Sequence, residues 1–143
     1  MPVPATTAAL LDAWLQLTVQ WYPAETALHL LEEPDQFRNP VGHAMREALP
    51  VLLDVVLGRI PAADATAPLE RLIRIRAIQD LTPGQAIGFI FLLNPLLREH
   101  VAKDEALQDR LNGLALTAFD LYVSCREQAH RIQLKELRRR VKA

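Results

Sequence analysis

The stretch from Leu72 to Glu99 constrains this chain more than any other. Its first part is an arginine-studded helical segment that should end near Asp80. A second helix is signalled at Thr82-Pro83-Gly84-Gln85. Thr82 can cap the Gln85 amide, Gln85 can reach back to Thr82, and Pro83 suits the first helical position. From Ala86 to Leu93 no polar side chain follows. A helix that is apolar on every side has to be buried on every side, so this reading puts it at the centre of the fold with the other helices around it. Gly84 and Gly88 lie one turn apart and predict a smooth strip that a neighbouring backbone approaches closely. Asn94-Pro95 should bend the helix before Leu96.

The flanking segments read as helices too. Leu10, Leu11, Trp14, Leu17, Thr18 and Trp21 recur at helical spacing within residues 6–22, with Pro4 and Thr6-Thr7 at the start. The two tryptophans read as core anchors, or else as an exposed partner groove. A short helix follows from Pro23 to about Glu33 and is stopped by Pro34 and Asp35. Asn39 is a good N-cap with Pro40 behind it. Val41, Met45, Ala48, Leu52 and Val55 form a stripe, and Gly58 stands where a C-terminal glycine belongs. Pro50 inside this helix should kink it, either to wrap a neighbour or as a hinge. Residues 59–67 read as a loop, and Pro68 as the start of the fourth helix. Arg76 falls at the seam of that helix's apolar faces and needs a carboxylate partner or carbonyls, with Asp80 and Glu47 as the candidate carboxylates. Asp104 should cap the last and longest helix, along which Leu107, Leu111, Leu114, Ala118, Leu121, Tyr122 and Cys125 keep a spacing of three and four. From His130 onward the pattern thins to an exposed basic arm. Arg131, Leu134, Leu137, Arg138 and Val141 are its candidate contact residues. The expected fold is all-α, one bundle of five to six helices spanning residues 1–143, with a long C-terminal helix.

Composition excludes several classes. The chain has 143 residues, 50% of them hydrophobic and 23% charged, as a soluble globular domain does. Net charge is −1, which favours neither nucleic acid nor an anionic membrane. Charge is uneven, however. Residues 126–143 hold seven Lys/Arg and two Glu, a local +5, so the remainder holds nine Lys/Arg and fifteen Asp/Glu, a local −6. One cysteine, Cys125, excludes an intrachain disulfide or a CxxC motif and reads as buried and inert. The N-terminus lacks a basic signal-peptide region, and no apolar run approaches the ~20 residues of a membrane span. A cytoplasmic protein with no membrane insertion is expected.

No complete catalytic or metal site is legible. His29, His43, His100 and His130 show neither HxxxH nor HExxH spacing. Haem needs only one histidine, for which His43 or His100 could serve. Cys125 and His130 are five residues apart on one helix and face different ways. The basic run Lys135–Lys142 complements a helix C-terminus, and could also contact phosphates or an acidic partner surface. It lacks the stacking aromatics of a nucleic-acid binder, so no specific nucleic-acid partner is expected.

Three blocks carry a resemblance. Phe37-Arg38-Asn39-Pro40-Val41-Gly42 with Arg46-Glu47, the long run Ile75–Phe89, and Phe119-Asp120-Leu121-Tyr122 with Cys125-Arg126-Glu127 resemble the corresponding blocks of RsbRD-type N-terminal domains, the RsbT co-antagonists. The similarity extends from about Leu11 to Arg140. Where that family has Phe-Ser-Pro-Ser, this chain has Leu81-Thr82-Pro83-Gly84, which keeps the hydroxyl cap. The resemblance implies a helical sensor or interaction module rather than an enzyme. Family members precede STAS domains or other signalling modules, or stand alone in anaerobic bacteria that respire sulfur compounds; related stressosome sensor domains are globin-like without haem. A standalone form is expected here, with a globin-like arrangement as one form of the bundle. No catalytic, cofactor-binding or metal-ligating residue is assigned and no cofactor is expected. Arg46, Glu47, Arg76, Gln79 and Asp80 are the candidate polar network, to sense a ligand or to fix a helix pair.

The leading expectation is therefore a signalling domain that binds itself or another signalling protein, with the last helix as output. The alternative is a small-molecule or haem sensor whose pocket lies beside Phe89, Phe91 and the tryptophans. An enzyme ranks last, because no nucleophile, base and orienting group come together.

Overall fold

A computed structural model describes residues 6–79 and 81–142. Among them are seven α-helices, three 3-10 segments and no strand. The α-helices are α1 (Thr7–Thr18), α2 (Ala24–Glu32), α3 (Pro40–Val56), α4 (Thr66–Ile78), α5 (Pro83–Ile87), α6 (Arg98–Lys103) and α7 (Leu107–Lys142). The 3-10 segments are Val19–Trp21, Ala62–Ala65 and Gly88–Leu96. The all-α expectation holds, with a long C-terminal helix.

Sequence punctuation explains most of the boundaries. Thr6 caps α1, its hydroxyl accepting from the Ala9 amide at 3.1 Å. Pro4, expected at that start, lies outside the described residues. Thr82 and Gln85 form the full capping box of α5. Gly58 takes φ 76° after α3, a conformation that favours glycine. Asp104 accepts from the Ala106 amide at 3.1 Å just before α7. The fourth helix begins at Thr66, ahead of Pro68, because the 3-10 turn Ala62–Ala65 leads straight into it. The short helix α6 is an element the sequence reading missed.

One core joins the elements. Helix α4 packs against α3 and α7, and α3 and α7 also touch each other. Met45, Leu52 and Leu53 of α3 meet Leu69, Leu72 and Ile73 of α4 and Leu111 and Ala118 of α7 in full burial. The segment Gly88–Leu96 packs against α1, α5 and α7. It therefore shares the centre instead of forming it alone.

That segment departs most from expectation. Helix α5 stops after Ile87 and the chain tightens to 3-10 geometry. Side chains explain the change. Arg76 takes the carbonyls of Gln85 and Ala86, and the Trp14 indole takes that of Phe89, so these oxygens are diverted from i→i+4 bonding. Pro95 brings no amide of its own. A 3-10 segment repeats every three residues, and Ile90, Leu93 and Leu96 are buried at that period, with Phe89 buried beside Ile90. Phe91 falls on the open side and is 45% exposed, so the stretch is not buried all round. Nor do Gly84 and Gly88 admit a neighbouring backbone. A Cβ at Gly84 would meet only the Thr82 hydroxyl, at 4.0 Å, and one at Gly88 would meet nothing within 4 Å.

The tryptophans separate for a related reason. Trp14 is fully buried and stacks on Phe89 with centroids 6.1 Å apart. Trp21 is 53% exposed, because α1 ends at Thr18 and the 3-10 turn after it rotates the register. Cys125 is partly buried rather than buried.

Candidate functional site

The buried arginine of the interior, Arg76, lies at the junction between α4 and α5. Arg76 is fully buried and forks onto that junction. Its Nε donates to the Ala86 carbonyl at 2.7 Å and one Nη to the Gln85 carbonyl at 2.7 Å. The other Nη donates to the Tyr22 hydroxyl at 3.2 Å, and that hydroxyl donates to Gln79 Oε1 at 2.8 Å. The guanidinium lies 5.3 Å from the Phe89 ring centroid and 6.0 Å from that of Tyr22. Burial pulls its pKa below the ordinary arginine value, while the Tyr22 hydroxyl works in the other direction. A planar fork suits two adjacent carbonyls better than a point ammonium does.

Helix α7 closes the junction from the other side. The Tyr122 hydroxyl donates to the Leu81 carbonyl at 3.2 Å. Arg126 donates to the Ala77 carbonyl at 3.1 Å, near the C-terminus of α4. The carbonyls of Ala77, Leu81, Gln85 and Ala86 are thus held by side chains from α4 and α7.

The expected network divides under this geometry. Arg76 and Gln79 share Tyr22. Arg46 instead donates to the Leu31 carbonyl in α2. Glu47 is not the partner of Arg76; it pairs with His43 one turn away, at 3.0 Å, on the open face of α3. Asp80 lies outside the described residues. Tyr22, Tyr122 and Arg126 were not foreseen as junction residues, since hydroxyls and arginines separated by tens of residues give no spacing signal.

A second polar clamp explains the Asn39-Pro40-Val41-Gly42 block. The Asn39 Nδ2 donates to the carbonyls of His29, Leu30 and Glu33 at 3.0–3.2 Å, while its Oδ1 accepts from the Gly42 amide at 3.0 Å. One amide therefore closes the end of α2 and opens α3. Gly42 is required here: an added Cβ would stand 2.3 Å from Asn39 Nδ2 and 2.5 Å from the Leu30 carbonyl.

The arm residues Arg131, Leu134, Leu137, Arg138 and Val141 lie on α7, where every residue from His130 to Lys142 is exposed. Trp14 and Phe89, expected beside a sensor pocket, are closed in the core, whereas Phe91 and Trp21 are exposed. A cavity of about 740 Å³ lies between the loop after α3 and α7, lined by Val55, Ile60, Ala65, Leu69, Arg110 and Leu114 among others. Neither His43 nor His100 lines it. Among the described residues no group of three His, Cys, Asp or Glu side chains could hold a metal ion, and no helix is long and apolar enough to cross a membrane.

The family profile of the RsbT co-antagonist protein rsbRD N-terminal domain matches residues 8–137. The chain belongs to this family. Its three resembling blocks are the Asn39 clamp, the Arg76 junction and the Tyr122–Arg126 closure, so the RsbRD signature in this chain is a set of hydrogen-bonded staples. The family is a regulatory one, related to the sigma-factor stress response. No curated protein and no solved structure gives a significant match.

Proposed function

We propose that this RsbRD N-terminal domain is a non-enzymatic, cytoplasmic regulatory domain that works by protein–protein contact, with α7 as its output element. The observation that carries the reading is the position of the junction. Tyr122 and Arg126 tie α7 to the α4–α5 backbone immediately before the helix leaves the body. A change at Arg76, Gln79 or Tyr22 would shift the carbonyls that α7 holds, and so reach the arm. The arm carries exposed apolar Leu134, Leu137 and Val141 with Arg131 and Arg138 beside them. Such a helix seeks a partner, either a second copy or another signalling protein. Removing Arg131–Ala143 should abolish association while leaving the helical circular dichroism and melting of the body intact. Association retained by the shortened chain would overturn the assignment of the arm.

The open cavity beside Arg110 favours a second reading, a small-molecule sensor, because it offers an apolar floor with the Arg59 and Arg110 guanidiniums at its edge. Native mass spectrometry of protein from its own host tests it. A retained organic mass supports the sensor, and a ligand-free spectrum removes it.

A further inference from the structure

Helix α7 has two apolar faces, and only one belongs to the core. Leu107, Leu111, Leu114, Ala118 and Tyr122 make the core face. A second stripe consists of Leu116, Phe119, Val123, Leu134, Leu137 and Val141. Their exposures are 68, 44, 37, 48, 56 and 86%. At ~100° per residue these side chains centre roughly 140° round the helix from the core face. The stripe therefore begins on the body and runs without change of face to the end of the arm. It is interrupted only at its middle, by Glu127 and His130, both exposed.

We infer that this outer face of α7 packs against the same face of a second copy, antiparallel, so that the arm of each chain covers the body segment of the other. The inference rests on the proposal that the arm is the association element, and adds its partner and direction. Charge complementarity selects the direction. Side by side in parallel, two copies would bring Arg131, Arg138 and their neighbours of the +5 segment against themselves. Antiparallel, with the two-fold axis between Gln128 and Ala129, Leu116 faces Val141 and Val123 faces Leu134. The interrupting Glu127 faces His130, Arg138 lies beside Asp120, and Arg131 lies beside Glu127. Each basic arm then rests on a body whose own charge is −6. The stripe spans ~39 Å at ~1.5 Å per residue, and one helix width of contact is on the order of 400 Å² per copy. That is about 800 Å² in total, below the ~1,200 Å² of stable specific interfaces and in the range of weak, transient ones, so the pair should exchange.

The test mixes equal amounts of full-length Leu116→Cys and Val141→Cys chains, each also Cys125→Ser, under mild oxidation. Covalent dimers formed in the mixture and absent from either chain alone are the expected result. Val141→Cys chains that cross-link to themselves mean a parallel pair and overturn the inference, while leaving the arm as association element. A dimer by light scattering with no cross-link in the mixture means another face and also overturns it. A monomer by light scattering across the concentration range removes the second copy as partner altogether. Small-angle scattering of the unmodified chain serves if the variants fold poorly. Two bodies at opposite ends of a shared helix pair are expected; two bodies at one end overturn the inference.

Discussion

Arg76 shows how one residue can set local backbone geometry. Its fork holds the Gln85 and Ala86 carbonyls where α5 gives way to 3-10 geometry. Replacing it by methionine fills the space but strands those carbonyls, and should cost ~3 kcal/mol in urea denaturation. Arg76→Lys should recover only part of this, because an ammonium cannot reach both oxygens and Tyr22 in one plane. Tyr22→Phe should cost about 1 kcal/mol, the weight of an ordinary hydrogen bond. Asn39→Ala removes a four-bond clamp at a site 2% exposed, and should cost ~2–3 kcal/mol. The need for a partner at Arg76 was legible from the helical seam. That carbonyls could serve in place of a carboxylate was legible too; which carbonyls they are was not, since sequence shows no carbonyl directions.

At the level of elements, α7 depends on its entry. Asp104 bonds both the Ala106 amide and the Arg110 guanidinium, and Arg110 also reaches the Val56 carbonyl of α3 at 3.0 Å. The Arg110 hydrogen bond holds the Asp104 carboxyl below the usual carboxylate range. With the folded pKa below the unfolded one, the contribution is fully present above the ordinary carboxylate pKa and is lost as pH falls through the lowered value. Acid unfolding should therefore begin at lower pH in the parent chain than would follow without the pair, and Asp104→Asn should remove that part of the acid dependence. Thr82→Ala should cost ~1 kcal/mol through loss of the capping box. Caps and proline positions placed α1, α3 and α5 from sequence, because they act within a few residues. The 3-10 segment escaped, because its cause lies in Arg76 on α4 and in Trp14, 75 residues from Phe89, beyond the reach of local punctuation.

For the whole molecule, the body and the arm should separate experimentally. Leu72→Ala, at a fully buried position between helices, should cost ~2–5 kcal/mol and lower the melting temperature of the entire body. Leu137→Ala, at an exposed arm position, should leave melting unchanged at low concentration and weaken association instead. Arg126→Ala should act between the two, raising hydrogen exchange where α7 leaves the body.

The sequence by itself determined the all-helical class, most helix starts, the core stripes of α3, α4 and α7, and the exposed basic arm. Each of these follows from periodicity, punctuation or charge within a few turns of chain. Only the tertiary structure decided that the apolar stretch after Ile87 tightens to a 3-10 segment, that Trp14 is buried and Trp21 is not, and that Tyr22, Arg76, Gln79, Tyr122 and Arg126 meet at one junction. Those outcomes depend on a local turn after α1 and on hydrogen bonds between residues 9 to 75 positions apart, and such bonds leave no periodic trace in the chain that makes them.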